Sequence, residues 1–383
     1  MLMRTLGVGI AGIFACVALV SSQQAAPQGA APGPSAPWYK GSIHTHTSKS
    51  IDGESAPEVV AQWYRERKYD FLVLSDHNVL TEVEPVNAWL AAHPPAAGAP
   101  QTATPRPFLL IPGEELSDGY STAAVKPAAG ERDLDSRQVH LGALGIGRLV
   151  EPKGGQSVFD TLQRDVDAVR SAGGVPVINH PNFTWSLTAE DLTRVRNARL
   201  FEIFNGHLQA NNAGGGGRPG VEEMWDRALS AGTVLYGVAT DDSHWFQRTG
   251  EPPVMTAPGR GWIYVRARDL SAASILEAME RGDFYASTGV VLAGYEVTAH
   301  TMTITVQPKS RSKYRVLFIG KGGRILEDVP VDPVIAARVG PLNPTARPVV
   351  YTFRGNEGYV RAKVLDSNGL VAWMQPVMLT PAR

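Results

Sequence analysis

Histidines and carboxylates recur in this chain in one setting, at or near the end of a short apolar run. His44 and His46 sit in Ile-His-Thr-His-Thr, and i, i+2 residues of a strand face the same side, so both rings converge on one point. Asp76-His77 ends the run 71–74, Glu114-Glu115 follows 108–111, and His140 begins the run 141–146. His180 follows 175–178, and Asp242-Ser-His244 follows 234–240 with the same i, i+2 spacing. A lone histidine is usually a packing residue. A repeated pairing of an apolar run with a nitrogen or carboxylate ligand is the expected surround of a divalent cation. All-N/O ligation suits Zn, Mn or Fe. Such ions lower the pKa of bound water toward neutrality and polarise the bond under attack, which is hydrolytic chemistry needing no Ser or Cys nucleophile.

Other residues take supporting places. Asp76 and Asp241 are read as carboxylates that orient a ligand histidine, because metal-bound imidazole normally donates its other N–H to such a partner. His207, in Phe-Asn-Gly-His after another apolar run, is either a substrate contact that protonates a leaving group or a plain loop histidine. Arg218 follows glycines 214–217, which read either as a slack linker or as a flap bringing Arg218 to an anionic substrate group. Trp185, Trp245 and Phe246 flank the ligands as pocket walls or as packing, and His93 and His300 lie outside the pattern.

The elements that must position these groups follow from periodicity. Apolar strands are expected at 41–47, 71–75, 108–112, 139–146, 175–179, 200–204 and 233–240. Helices are expected at 55–68, 158–171, 188–198, 221–231 and 271–281. Capping boxes are expected at Ser55-x-x-Glu58 and, for a further helix, at Thr81-x-x-Glu84. Alternation of this kind predicts an α/β fold with parallel strands, closed as a barrel whose C-terminal strand ends gather the ligands at one face. After 289 the pattern changes to strands at 295–306, 314–319, 349–353 and 359–365 with glycine turns, which predicts a small all-β, sandwich-like domain over 290–383.

The 383 residues suffice for such a barrel and a second domain. The formal net charge of -1 gives no reason to expect a stable nucleic-acid partner or an acidic membrane surface. Arg4, an apolar run over 6–20 and Ser21-Ser22 read as a signal peptide over 1–22, which implies an exported, periplasmic or secreted protein without a membrane span once cleaved. Residues 23–39, rich in Ala, Pro, Gln and Gly, read as a disordered leader before a barrel spanning 40–289. The single cysteine, Cys16, falls in the signal segment, so stability must come from a large core and not from disulfides.

His44-Thr-His46, Asp52-Gly, Ser75-Asp-His77-Asn, Gly113-Glu-Glu115, His140, Asn179-His180-Pro and Asp242-Ser-His244, in that order, resemble the PHP (polymerase and histidinol phosphatase) family of metal-dependent hydrolases. The tail 281–289 looks like the branch of that family that includes carbaryl hydrolases. The resemblance implies a distorted seven-stranded α/β barrel and two to three divalent ions per chain. Carried onto this sequence, it gives His44, His46, Glu115 and Asp242 to one ion. Glu115, His140 and His180 go to a second, with Glu115 bridging, and Asp52, His77 and His244 to a third. It departs at one place: the family writes Ser-Asp-Gly, and this chain reads Ser50-Ile-Asp52-Gly, which leaves the reach of Asp52 open.

These features together predict an exported phosphoesterase acting on phosphomonoesters or small phosphodiesters through a metal-bridging hydroxide, with Glu115, Asp242 and His207 as its catalytic groups. The same centre would also serve a carboxylic or carbamate ester hydrolase. A non-catalytic binding protein is the third alternative. The partner expected is a small-molecule ester; the sequence gives no oligomeric state.

Overall fold

The computed structural model describes residues 36–94, 107–121, 136–246, 257–309, 311–332 and 347–379. The expected signal peptide, Cys16 and most of the leader lie outside these residues. In chain order the first half comprises β1 Trp38–Ser42, α1 Pro57–Glu66, β2 Phe71–Leu74, α2 Val83–Ala92, β3 Leu109–Ser121, β4 Ser136–Leu144, α3 Val158–Ser171 and β5 Val175–Ile178. It continues with α4 Ala189–Arg194, β6 Leu200–Asn205, α5 Val221–Ser230, β7 Tyr236–Thr240, β8 Trp262–Arg266, α6 Ala272–Arg281 and β9 Phe284–Ser287. The C-terminal part adds β10 Leu292–Val297, β11 Thr301–Val306, β12 Tyr314–Gly320, β13 Arg324–Val331, β14 Val349–Thr352, β15 Tyr359–Asp366 and β16 Val371–Met378. β1 therefore starts at Trp38, inside the segment whose composition reads as leader.

Strands β1 to β7 lie side by side in sequence order. β2 and β5 are buried at every position, as strands covered on both faces must be. Beyond the ends of β1 and β7 the chain closes on itself: Thr45 bridges Ser243, His46 N donates to Ser243 O at 2.9 Å and Asp242 N to His44 O at 3.1 Å. Seven strands thus form a ring that is tied at its mouth by a bridge instead of a full ladder. Away from the mouth β8 pairs antiparallel with β1, and the sheet runs on through β9 to β16, β15, β12 and β13. Gln375 of β16 serves as a substitute strand edge, accepting from Gly237 N at 2.8 Å and donating to Gly237 O at 2.9 Å.

The all-parallel expectation fails at β4, which is antiparallel to both β3 and β5. The reversal explains why His140 precedes its apolar run while the other ligands follow theirs. Running backwards, β4 brings its beginning, not its end, to the common mouth.

Helix ends also differ from expectation. α1 begins after Ala56 with Pro57 in its first turn, and Ser55 makes no capping bond. α2 begins after Glu82, because the Thr81 hydroxyl is taken by the Asp76 carboxylate. Elsewhere the caps form: Ser157 on α3, Thr188 and Asp191 as a capping box on α4, and Ser271 on α6, which stops at Gly282 with φ of 80°. In the C-terminal part, β10, β11 and β14 form a second sheet, so the expected strand 295–306 is a hairpin. Its Met302, Ile304 and Tyr351 share one core with Val316, Phe318 and Val364 of the larger sheet, a sandwich arrangement.

Candidate metal centre

The residues after β1 keep the strand alternation. His44 and His46 point inward with their Nε2 atoms 3.2 Å apart, while Thr45 between them is tied to Ser75 and Ser243. Asp242 is left-handed, with φ of 50°, a conformation non-glycine residues adopt at some cost; the turn brings both Asp242 and His244 to the cluster. Asn205 holds the Asp242 carboxylate through a 3.1 Å bond. β3 presents Glu115 inward beside His77, and the neighbouring Glu114 faces the other way, accepting from Val150 N at 2.8 Å. Burial raises the Glu114 pKa to about 7, and its Oε2 has no hydrogen-bond partner.

Glu115 is the centre of the arrangement. Its Oε1 lies 3.3 Å from His44 Nε2, 3.2 Å from His140 Nδ1 and 3.0 Å from His180 Nε2. Its Oε2 lies 3.5 Å from His46 Nε2 and 2.9 Å from His77 Nδ1. Asp242 Oδ1 stands 3.3 Å from His44 Nε2 and 3.2 Å from His46 Nε2. Asp52 Oδ2 stands 3.3 Å from His77 Nε2 and 3.2 Å from His244 Nε2. The extra residue before Asp52 does not shorten its reach, because Ile51 is looped out and 98% exposed. Four candidate ligand groupings result among the described residues: His44, His46 and Asp242; His44, Glu115 and His180; His77, Glu115 and His140; and His46, Asp52, His77 and His244. All nine expected ligands meet at one mouth. His46 and His77 stand between groupings more than the ligand sets carried over from the resemblance place them.

Electrostatics explain why such a cluster takes cations. Burial opposes charge on Glu115, but His44, His140 and His77 outweigh it and hold the carboxyl well below the usual range. Burial likewise opposes ionisation of Asp242, and His44 and His46 overcome it. His44 is desolvated, yet Asp242, Glu115 and Glu202 push its pKa well up; His77 is raised to about 10 against burial by Glu115 and Asp52. Burial and the His244 charge instead take His46 down to about 3. Concentrated negative charge draws protons onto some rings, and divalent ions can take their place. Two buried atoms, Glu115 Oε2 and His140 Nδ1, make no hydrogen bond at all. Buried acceptors without donors, an N/O-only ligand set and inward lone pairs fit divalent cations.

The ligand-orienting carboxylate is one the sequence reading missed. Glu202 Oε1 lies 2.7 Å from His44 Nδ1, so the His44 Nε2 lone pair faces the cluster. Glu202 also accepts from His180 N at 2.6 Å, Asn205 Nδ2 at 2.8 Å and Thr240 Oγ1 at 2.6 Å. Its signal was a lone charged residue inside the apolar run Leu-Phe-Glu-Ile-Phe, which a buried strand retains only with partners. Asn179, which donates to Glu115 Oε1 at 2.8 Å, was likewise given no role of its own. Asp76 and Asp241, read as histidine partners, hold other groups instead. Asp76 accepts from Thr47 N and Thr47 Oγ1, and Asp241 from Tyr64 OH, Arg260 N and Gly261 N. Both fix the loops that carry ligands.

His207 is half-buried at the rim, its ring centroid 6.4 Å from that of His244. Its Nδ1 accepts from Gln209 N at 3.1 Å, and burial lowers its pKa. Glycines 214–217 are not slack, because they form a tight turn beside Trp185 and carry Arg218. Phe246 packs on Trp63 and Tyr64, His93 stacks on Trp89, and the His300 carbonyl accepts from Phe353 N. No helix of the described residues is long and apolar enough to cross a membrane.

No family model matches the chain, and no curated protein matches it. Among solved structures, it is similar to a two-domain protein from Bacteroides vulgatus described as containing a predicted PHP-like metal-dependent phosphoesterase. Identity is 14% and the TM-score 0.46, over 92% of this chain and 94% of that one. An amidohydrolase from Chromobacterium violaceum is similar at 15% identity and a TM-score of 0.34, over 57% of this chain and 93% of that one. The lesion-specific endonuclease Q of Pyrococcus furiosus is similar at 11% identity and 0.36, over 64% of this chain and 56% of that one.

Proposed function

We propose that the protein is an exported metal-dependent hydrolase that cleaves phosphomonoesters or small phosphodiesters. The observation that carries this is the two-sided coordination geometry of Glu115, whose oxygens face separate histidine sets within 3.5 Å. A carboxylate so placed would hold divalent cations through both of its oxygens, and such a pair would stabilise the attacking and leaving oxygens of ester hydrolysis. Divalent ions bound there, two to three per chain and of the Zn, Mn or Fe type, supply Lewis acidity and an acidified water.

The chain's own residues do the rest. Glu115 and Asp242 hold fixed negative charge at the centre. Glu202 keeps His44 in the tautomer that points Nε2 inward. With Nδ1 of His207 accepting a backbone N–H, its neutral ring carries the proton on Nε2, where it can pass to a leaving oxygen. Asn205 ties this group to the centre, accepting from His207 N at 2.8 Å while donating to Asp242. Phe183 walls the mouth, its centroid 5.0 Å from His180 and 5.9 Å from His207.

The test is a substrate panel on the full chain with added Mn or Zn: p-nitrophenyl phosphate, bis(p-nitrophenyl) phosphate, and carboxylic and carbamate esters. Turnover of a phosphoester that stops on chelation is expected. Turnover of carboxyl or carbamate esters alone would replace this reading by the second one. Export is tested by mass spectrometry after expression in a Gram-negative host. A mature N-terminus near Gln23 is expected, and an intact Met1 on cytosolic protein would refute it.

A further inference from the structure

The segment after His180 and the loop carrying Arg218 form one braced rim. Asn182 Nδ2 donates to the carbonyls of Asn211 at 3.1 Å and Pro219 at 3.0 Å, and Asn211 Nδ2 returns a bond to Asn182 O at 3.2 Å. Within the loop Gly215 N donates to Arg218 O at 3.1 Å and Arg218 N to Gly215 O at 2.9 Å. The two residues between, Gly216 and Gly217, have φ of 56° and 81°, the double left-handed turn that glycine adopts freely. The glycine run is therefore a shape.

Across from it, Thr184 and Trp185 are consecutive left-handed residues, with φ of 50° and 57°. Such positions are costly for non-glycine residues and persist where the surroundings impose them, often at ligand clamps. The kink sends Phe183 toward the cluster and Trp185 toward Arg218, whose guanidinium stands 5.9 Å from the indole ring. Arg218 Nη1 donates to Trp185 O at 3.3 Å. The rest of this exposed guanidinium meets no carboxylate among the described residues. An exposed Arg tied to Trp185 O by one bond and lying beside the indole, with the rest of its fork open, can pair with two anionic oxygens.

We propose that Arg218 and Trp185 form a second anion subsite at the mouth, so that the preferred ester carries a carboxylate or phosphate group on the side away from the hydrolysed bond. This rests on the phosphoesterase reading for the hydrolysed end only. It is tested with alkyl phosphomonoesters in a series of chain lengths, ending in a carboxylate, a phosphonate or a hydroxyl, and turned over by the Mn-loaded full chain.

Wild type should favour at least one anionic tail over the hydroxyl tail of equal length, and carboxylate against phosphonate identifies the group. In Arg218→Ala the anionic-to-hydroxyl ratio of kcat/KM should fall about tenfold, mostly in KM, with Arg218→Lys recovering part. Trp185→Ala should lower the same ratio. Equal kcat/KM for all tails in wild type, or an unchanged ratio in Arg218→Ala, would overturn the subsite. If no phosphomonoester is hydrolysed, that reading of the reaction fails by itself. Calorimetric binding of phosphonate analogues with the same tails then decides the subsite. Tail preference lost in Arg218→Ala supports it, and no tail preference overturns it.

Discussion

Glu202 Oε1 lies 2.7 Å from His44 Nδ1, on the far side of the imidazole from Glu115 and Asp242. The contact fixes which nitrogen of His44 faces the cluster, and the same carboxylate holds the backbone of His180. Glu202→Gln keeps the size of the side chain but removes the charge that favours a donating Nδ1–H. Loss of such a partner typically costs about 10–100-fold in metal affinity. Calorimetric titration of the metal-free chain with Zn or Mn should show that loss in the tightest site. Wild-type affinity in Glu202→Gln would show that Glu202 serves the barrel core alone.

Glu115 and Glu114 are adjacent yet opposed, one at the centre of five histidines and one bonded to Val150 N. On the proposed reading Glu115 would hold cations through both oxygens, so Glu115→Gln would leave those cations repelling each other. Elemental analysis should find at least one ion fewer per chain, with nearly all turnover gone. Glu114→Gln should keep its metal content and lose less activity. The reverse result would mean the register of β3 at the mouth is misassigned.

How far the sequence carries depends on what kind of constraint placed each residue. Strand alternation and strand-end position are local, so His44, His46, His77, Glu115, His180, Asp242 and His244 could be read from runs and spacing. The antiparallel course of β4 is a tertiary choice between β3 and β5, and nothing within 139–146 announces it. The cap failed at Thr81 because Asp76 takes the same hydroxyl, whereas at Ser55 the helix starts one residue later with Pro57 in its first turn and leaves the hydroxyl unbonded. Glu202 is not legible from the period of its apolar run, because its role depends on partners just after β1 and β5 and in β7 that the run does not show. The reach of Asp52 depended on whether Ile51 packs inward or loops out, which spacing alone does not decide.

Asp52 is the candidate ligand with the most solvent exposure, and its nearest partners among the described residues are His77 and His244 of the outer grouping. Removing it should therefore affect one ion position and leave the Glu115 bridge intact. Asp52→Ala should lower metal content by one ion per chain relative to wild type under the same dialysis. Glu115-dependent binding should persist in calorimetry. Loss of all metal in Asp52→Ala would show that the positions fill as a single unit.

Away from the mouth, Asp165 of α3 and Asp118 of β3 hold successive residues of one loop, accepting from Lys153 N at 2.9 Å and Gly154 N at 2.7 Å. Burial first, with Asp118 adding to it, raises the Asp165 pKa from 3.8 to about 7. A carboxyl raised in the folded state binds more protons there than in the unfolded chain. Its stabilisation is thus full below about pH 4 and is lost as pH rises to about 7, after which the deficit stays constant. Asp165→Asn reproduces the protonated form: its Oδ1 still accepts from Lys153 N, and its amide can donate to Asp118. At about 1.4 kcal/mol per pKa unit, the variant should be more stable than wild type at pH 8 by on the order of 2–4 kcal/mol. The difference should shrink steadily below pH 7 and be gone near pH 4. Denaturant unfolding of both proteins across this range measures it. A constant difference at every pH, or a variant less stable at pH 8, would mean that Asp165 is ionised in the fold and held by cations the two carboxylates share.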